Sequence, residues 1–179
     1  DFKLINQVMV YGVKEKAVWM TELQVRHELG LMSFGRIKMN VNLQQFNAGR
    51  PDDPEAIYPS GNPFSIEDLS RQSDFKVLRN YNRIGYSRYC EWHIDHFMEG
   101  LVLDRVPLVS RLGLTEILGV GAVYLKEYNP YYEFSVGFGN IGYKALRLFR
   151  LDWVKILEGG EWKGSYLRVG VNNILNIGQ

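Results

Sequence analysis

Between Trp19 and Leu29 the larger apolar residues gather on every second position. Trp19, Thr21, Leu23, Val25, His27 and Leu29 fall on one side, and Met20, Glu22, Gln24, Arg26 and Glu28 on the other. The next stretch is cleaner: Ile37, Met39, Val41 and Leu43 alternate with Arg36, Lys38, Asn40, Asn42 and Gln44. A two-residue period over ten or so positions is the mark of a strand, because successive side chains point to opposite faces. The length is as informative as the period. Strands of soluble proteins run about 5–6 residues. A strand that crosses a membrane obliquely needs about 9–11. Long strands with one apolar and one charged face suit a barrel with lipid outside and a polar lumen inside.

The rest of the composition agrees. The 179 residues include 11 Tyr, 9 Phe and 4 Trp, with 18 Gly and only 6 Pro, a balance that suits strands joined by tight turns. Lys plus Arg total 21 against 20 Asp plus Glu, with no basic stripe, so a nucleic-acid partner is not expected. A single cysteine, Cys90, excludes an intramolecular disulfide and a cysteine-built zinc cage. No stretch reaches the roughly 18 apolar residues of a spanning helix, the best run being 118–125. The opening Asp1-Phe2-Lys3 has no initiator Met, so a processed chain or a fragment is expected, and the lack of a signal peptide does not argue for the cytoplasm.

Periodicity predicts eight strands, at 3–13, 17–30, 36–46, 86–100, 116–127, 131–139, 146–157 and 165–172, with 75–80 as a short extension. The whole of 1–179 is read as one unit: an all-β, antiparallel, up-and-down transmembrane β-barrel segment of about eight strands, the C-terminal part of a larger barrel. The connection 47–85 is long and carries Pro51, Pro54, Pro59 and Pro63. Outer-membrane barrels keep long loops outside and short turns in the periplasm. With 47–85 extracellular, the turns at 31–35, 101–115 and 140–145 fall in the periplasm, as do both chain ends.

Two stretches carry a family resemblance. One contains Glu91-Trp92-His93-Ile94-Asp95-His96-Phe97, followed by Val106-Pro107-Leu108-Val109. The other contains Tyr131-Tyr132-Glu133, Gly137, Asn140-Ile141 and then Arg150-Leu151-Asp152. In order and spacing they resemble the C-terminal end of an outer-membrane family of unknown function whose members carry a carboxypeptidase-regulatory-like domain before a membrane barrel. The resemblance covers about residues 86–157. Gly139, where the family often has Glu, and Cys90 depart from its pattern, and the C-terminus lacks the aromatic residue that ends many barrels. It implies an outer-membrane location and assigns no catalytic residue.

The polar face supplies the candidate site. Glu22, Arg26, Glu28, Arg36, Lys38, Glu91, His93, Asp95, Glu99 and Glu133 are expected to form a lumenal network, either pairing with one another to fill the barrel or lining a channel. His93 and His96 have a His-x-x-His spacing that suits a metal on a helix, but on a strand residues three apart face opposite ways, so no metal site is expected. Ser87, His93 and Asp95 hold the residue types of a hydrolase triad, but one strand supplying all three makes poor geometry. Gly137-Phe138-Gly139-Asn140-Ile141-Gly142 has dinucleotide-loop spacing without the strand–helix context, and reads as a β-turn. Trp19, Trp92, Trp153 and Trp162 suit aromatic girdles at strand ends, and Pro107–Leu112 a short periplasmic turn or half-helix capping the barrel floor, with a docking point for a partner as the sharper reading.

The function expected is that of a non-enzymatic outer-membrane β-barrel of a Gram-negative-type cell, in envelope transport or assembly. Membrane lipid and other outer-membrane or periplasmic proteins are the expected partners, with no cofactor. The alternative is a soluble lipocalin-like barrel that binds an apolar ligand in an apolar interior.

Overall fold

Period-two sequence becomes sheet over almost its whole length. The computed structural model describes residues 2–11, 16–48, 59, 75–78, 83, 85, 87–98, 100–107, 109–143 and 146–171. Its strands are β1 (Phe2–Tyr11), β2 (Lys16–Gly30), β3 (Arg36–Ala48), β4 (Arg88–Phe97), β5 (Thr115–Leu125), β6 (Tyr131–Tyr143), β7 (Leu146–Glu158) and β8 (Glu161–Val171). All eight predicted strands are present, each 10–15 residues long. They form one sheet in sequence order, and every neighbouring pair is antiparallel. Among the described residues no pairing joins β8 back to β1, so the sheet is open.

The register lays residues in rows across the sheet. One row runs Arg26, Asn40, His93, Gly121, Glu133, Ile156. The next runs Glu28, Lys38, Asp95, Gly119, Ser135, Val154. Both belong to the face that is buried in β4–β7, where Tyr89, Glu91, His93, Asp95, Tyr131, Glu133, Ser135, Arg150, Asp152, Val154 and Ile156 are all sheltered. Side chains from β3 to β7 gather around Phe75 and Leu78 on this face, which makes it the concave side of the sheet. The core sits on it towards the Ala48/Arg88 end: Phe46, Tyr89, Val123, Leu125, Tyr131 and Ile156 come from the sheet, and Phe75 and Leu78 from the long connection.

The reading of 47–85 as a loop outside the barrel falls mostly outside the described residues. Of its described members, Pro59, Phe75, Leu78, Arg83 and Gly85 are buried, and Phe75 makes an isolated β-bridge. Phe75–Leu78 therefore act as a strap laid into the concavity.

The β-turn reading of Gly137–Gly142 is corrected. These residues continue β6. The register slips between Phe138 and Ile141, where Asn140 takes φ 61°. That is a bulge: extra residues on one strand oppose fewer on its partner, and the strand bends. The turn at the β4–β5 end contains two 3-10 turns, Leu103–Arg105 and Ser110–Leu112, the second closed by Gly113 at φ 56°.

Candidate functional site

The strap is held by one carboxylate. Glu133 points into the concavity from near the start of β6 and accepts the backbone N–H groups of Lys76 (2.7 Å), Val77 (3.0 Å) and Leu78 (2.7 Å), and the Tyr131 hydroxyl (2.7 Å). Three successive amides converging on one acceptor form a nest for negative charge. Phe75, 1% exposed, packs edge-on against His93 (4.6 Å between centroids) and Tyr131 (5.6 Å). Lys76 Nζ reaches Asp95 Oδ1 at 3.4 Å.

Around the strap the polar groups are paired. His93 Nε2 lies 2.7 Å from Glu91 Oε1, and the Tyr89 hydroxyl donates to the same carboxylate. Arg150 donates to Asp152 at 2.7 Å, with both side chains almost wholly enclosed. Arg83 pairs with Glu158, donates to the Asn129 carbonyl at 3.0 Å and lies over the rings of Tyr131 and Tyr128. Burying charges is costly unless they are paired and hydrogen-bonded. Ser135 Oγ, Asn40 Oδ1 and Asp152 Oδ2 have no hydrogen-bond partner among the described residues.

Glycines make the room. Gly119, Gly121 and Gly137 lie on the concave face, in register with Asp95, His93 and Asp152. A Cβ on Gly121 would stand 2.9 Å from His93 Nδ1 and 3.1 Å from the Phe75 ring. On Gly119 it would collide with Ser135 Oγ and Asp95 Oδ1, and on Gly137 with Asp152 Oδ1. A side chain at these positions would evict the polar group opposite.

The other end of the sheet carries a second clamp. Glu116 accepts the N–H groups of Gly100 (2.9 Å), Val102 (3.0 Å) and Leu103, tying the β4–β5 turn to its strand.

The expected network is only partly gathered. Glu91, His93, Asp95 and Glu133 meet as described, with the strap among them. Glu28, Arg36 and Lys38 form a separate group nearer the sheet edge, with Glu28 3.6 Å from Arg36 and 3.5 Å from Lys38. Arg36 and Lys38 also lie over the Phe97 ring, at 5.4 and 5.5 Å. Glu22 and Arg26 stand on the same face of β2, half-buried and exposed. Glu99 lies outside the described residues. Sequence reasoning missed Lys76, Arg83, Glu116, Arg150 and Asp152. For Arg150 and Asp152 the signal was available in their i, i+2 spacing.

His96 turns away from His93 and bonds the Phe34 carbonyl at 2.8 Å. Among the described residues no group of three or more His, Cys, Asp or Glu is placed to hold a metal ion. Ser87, His93 and Asp95 are not brought together: Ser87 donates to Glu127, His93 meets Glu91 and Asp95 meets Lys76.

The opposite, convex face is mostly apolar, with Lys155 laid over the Trp162 ring. Leu43, Leu118, Tyr124, Phe134, Val136, Phe149 and Trp153 are all exposed there. Trp19 and Trp162 stand near strand ends, as girdle residues would. Trp92 and Trp153 do not: they sit in mid-strand, in register with Val41 and Ala122, and with Val136 and Leu167.

The motif residues behind the resemblance now have physical roles. Tyr131 and Glu133 hold the strap, Gly137 makes room for Asp152, Asn140 forms the bulge, and Arg150 pairs with Asp152. No match was found among curated proteins or among solved structures. A family model does match residues 19–138, more than half of the chain, and the protein therefore belongs to the family of unknown function DUF5686, of which this is the C-terminal domain.

Proposed function

We propose that this chain is a strand-built segment of an outer-membrane β-barrel that works, without enzymatic chemistry, in envelope transport or assembly. The observation that carries the reading is the inversion of the two faces. Glu91, Asp152 and Arg150 are 1%, 0% and 3% exposed, while Trp153, Val136 and Leu118 are 49%, 42% and 40% exposed. In water this distribution leaves a large apolar surface unpartnered. Against lipid it is the expected one.

Three further features support it. The strands are long enough to cross a bilayer obliquely. The longest connection, between Ala48 and Arg88, lies at one end of the sheet, with the Gly30–Arg36 and Phe97–Thr115 connections at the other. The open edges at β1 and β8 call for further pairing, either with each other or with strands of a larger barrel. Glu28, Arg36, Lys38, Glu91, His93, Asp95 and Glu133 are spent on neighbouring charged groups or on backbone amides, which favours a structural interior over a reaction centre. A transport role requires the Phe75–Leu78 strap to leave the concavity.

The soluble, ligand-binding alternative needs an apolar interior open to a guest. The apolar part of this concavity is filled by the chain's own Phe75 and Leu78, which favours the membrane reading.

Fractionation of the full-length native protein, with detergent extraction and gel mobility before and after boiling, tests the proposal. Outer-membrane recovery and a folded band that shifts on heating are expected. A chain recovered in solution without detergent would overturn it.

A further inference from the structure

We infer that a groove on the convex face, between the 110–114 turn and the facing ends of β6 and β7, binds an anionic phospholipid. Its phosphate lies between Arg111 and Arg147, and an acyl chain lies along Leu112, Leu114, Phe138 and Ile141. The inference rests on the membrane reading above and deepens it.

The groove encloses about 510 Å³. Its floor is apolar, and its two cations come from separate elements, the 3-10 turn Ser110–Leu112 and β7. The walls are tied together: Asn140, at the bulge, donates its side-chain amide to the Gly113 carbonyl. A Cβ at Gly113 would collide with Arg147 Nη1, so the guanidinium lies directly against the turn. Neither arginine meets a carboxylate among the described residues. Two like charges converging on one groove repel unless an anion sits between them. Arginine forks suit the oxygens of a phosphate.

Position selects a lipid over a free anion. The groove lies at the strand ends away from the 48–88 connection, on the face exposed to lipid in the membrane reading. There a headgroup meets the cations at the level of the interface, and the apolar floor continues towards the bilayer centre. A free phosphate would leave Leu112, Leu114, Phe138 and Ile141 without a role.

The test uses full-length protein purified in detergent, stripped of lipid and returned to phosphatidylcholine vesicles with or without phosphatidylglycerol. Re-extracted protein is read by native mass spectrometry for retained lipid. Phosphatidylglycerol should be retained in preference to phosphatidylcholine. The double variant Arg111→Gln/Arg147→Gln should lose that preference by about tenfold with unchanged heat-modifiable mobility. Ile141→Trp, which fills the floor and keeps both charges, should weaken retention as well and covers the case of a double variant that fails to fold. Equal retention of the two lipids by a folded membrane barrel, or displacement of phosphatidylglycerol by inorganic phosphate alone, overturns the site and leaves the membrane reading standing. A chain that needs no detergent overturns both.

Discussion

On β6, Tyr131, Glu133 and Ser135 turn inward and are buried, while Phe134 and Val136, set between them, are 40% and 42% exposed. On β7 the same exchange places Arg150 and Asp152 inside and Phe149 and Trp153 outside. A soluble sheet with one wet face has the opposite arrangement. The concave face is held by directed interactions, in which each carboxylate has named donors and each donor a fixed position. The convex face has fewer such ties among the described residues, among them His96 to the Phe34 carbonyl and Lys155 over the Trp162 ring, and most of its apolar side chains have no directed partner. One face therefore fails when a single partner is removed, and the other fails only when it is made incompatible with its surroundings.

The largest effect is expected at Glu133. Glu133→Ala removes the acceptor of three strap amides and of the Tyr131 hydroxyl. Each donor stranded in a buried site costs about 1–3 kcal/mol. A loss of about 3 kcal/mol or more should appear as an earlier urea midpoint, with new proteolytic cutting near Phe75–Leu78. An unchanged midpoint and an uncut strap would mean that the concave face is not held by this clamp.

Val136→Arg asks the same question of the convex face. At mid-depth in a bilayer an arginine costs about 2–4 kcal/mol, and Val41→Arg, in register with Trp92, should behave alike. Both should lower the yield of heat-modifiable barrel in membranes. If neither matters, the convex face meets water and the contrast between the faces has another origin.

Gly121→Val tests the space between polar groups. The new side chain would press on His93 and the Phe75 ring, and overpacking of this kind costs about 1–3 kcal/mol. Gly160 is the contrasting case: a Cβ there would meet nothing within 4 Å, but the residue sits at φ 84° in the β7–β8 turn. Gly160→Asn should therefore cost far less, since Asn tolerates that backbone. Equal effects at the two sites would mean that Gly121 is retained for its backbone and not for the room it leaves.

All eight strands were legible because the signals are local: β2, β3 and β4 alternate in polarity over most of their length, and β5 reads as a continuous apolar run bounded by turns. Register and strap were not, because they depend on partners distant in sequence. Phe75–Leu78 were expected as a short strand extension and form only an isolated bridge at Phe75, and nothing local says that three of their amides will meet Glu133. Glu91, His93, Asp95 and Glu133 were legible as a set because parity places them on one face. Parity also groups Glu28, Arg36 and Lys38 with them, although these lie nearer an open edge. Arg150 and Asp152 satisfy the same parity and carry the family motif, yet the sequence of β7 by itself reads only as a strand. Gly119 and Gly121 look like part of an apolar run; their role emerges only when the register sets them opposite Asp95 and His93.

The smallest effect is expected at Glu28, and it bears on how the sheet is completed. Glu28 belongs by register to the same row as Lys38, Asp95 and Ser135, yet its side chain is 51% exposed and its ion pairs with Arg36 and Lys38 are long. Exposed pairs contribute about 0–1 kcal/mol and are screened by salt. Glu28→Gln, alone and combined with Lys38→Gln in a double-mutant cycle, should therefore give a coupling energy at the low end of that range, falling as salt rises. The same row becomes enclosed at β4, where Asp95 is 6% exposed. If further strands close over β2 in the full-length protein, Glu28 and Lys38 would share the environment of Asp95. Their coupling would then exceed about 1 kcal/mol and lose its salt dependence. A weak, salt-sensitive value from the native full-length protein would place β2 beside an open edge, and a strong one would place it within an enclosed wall.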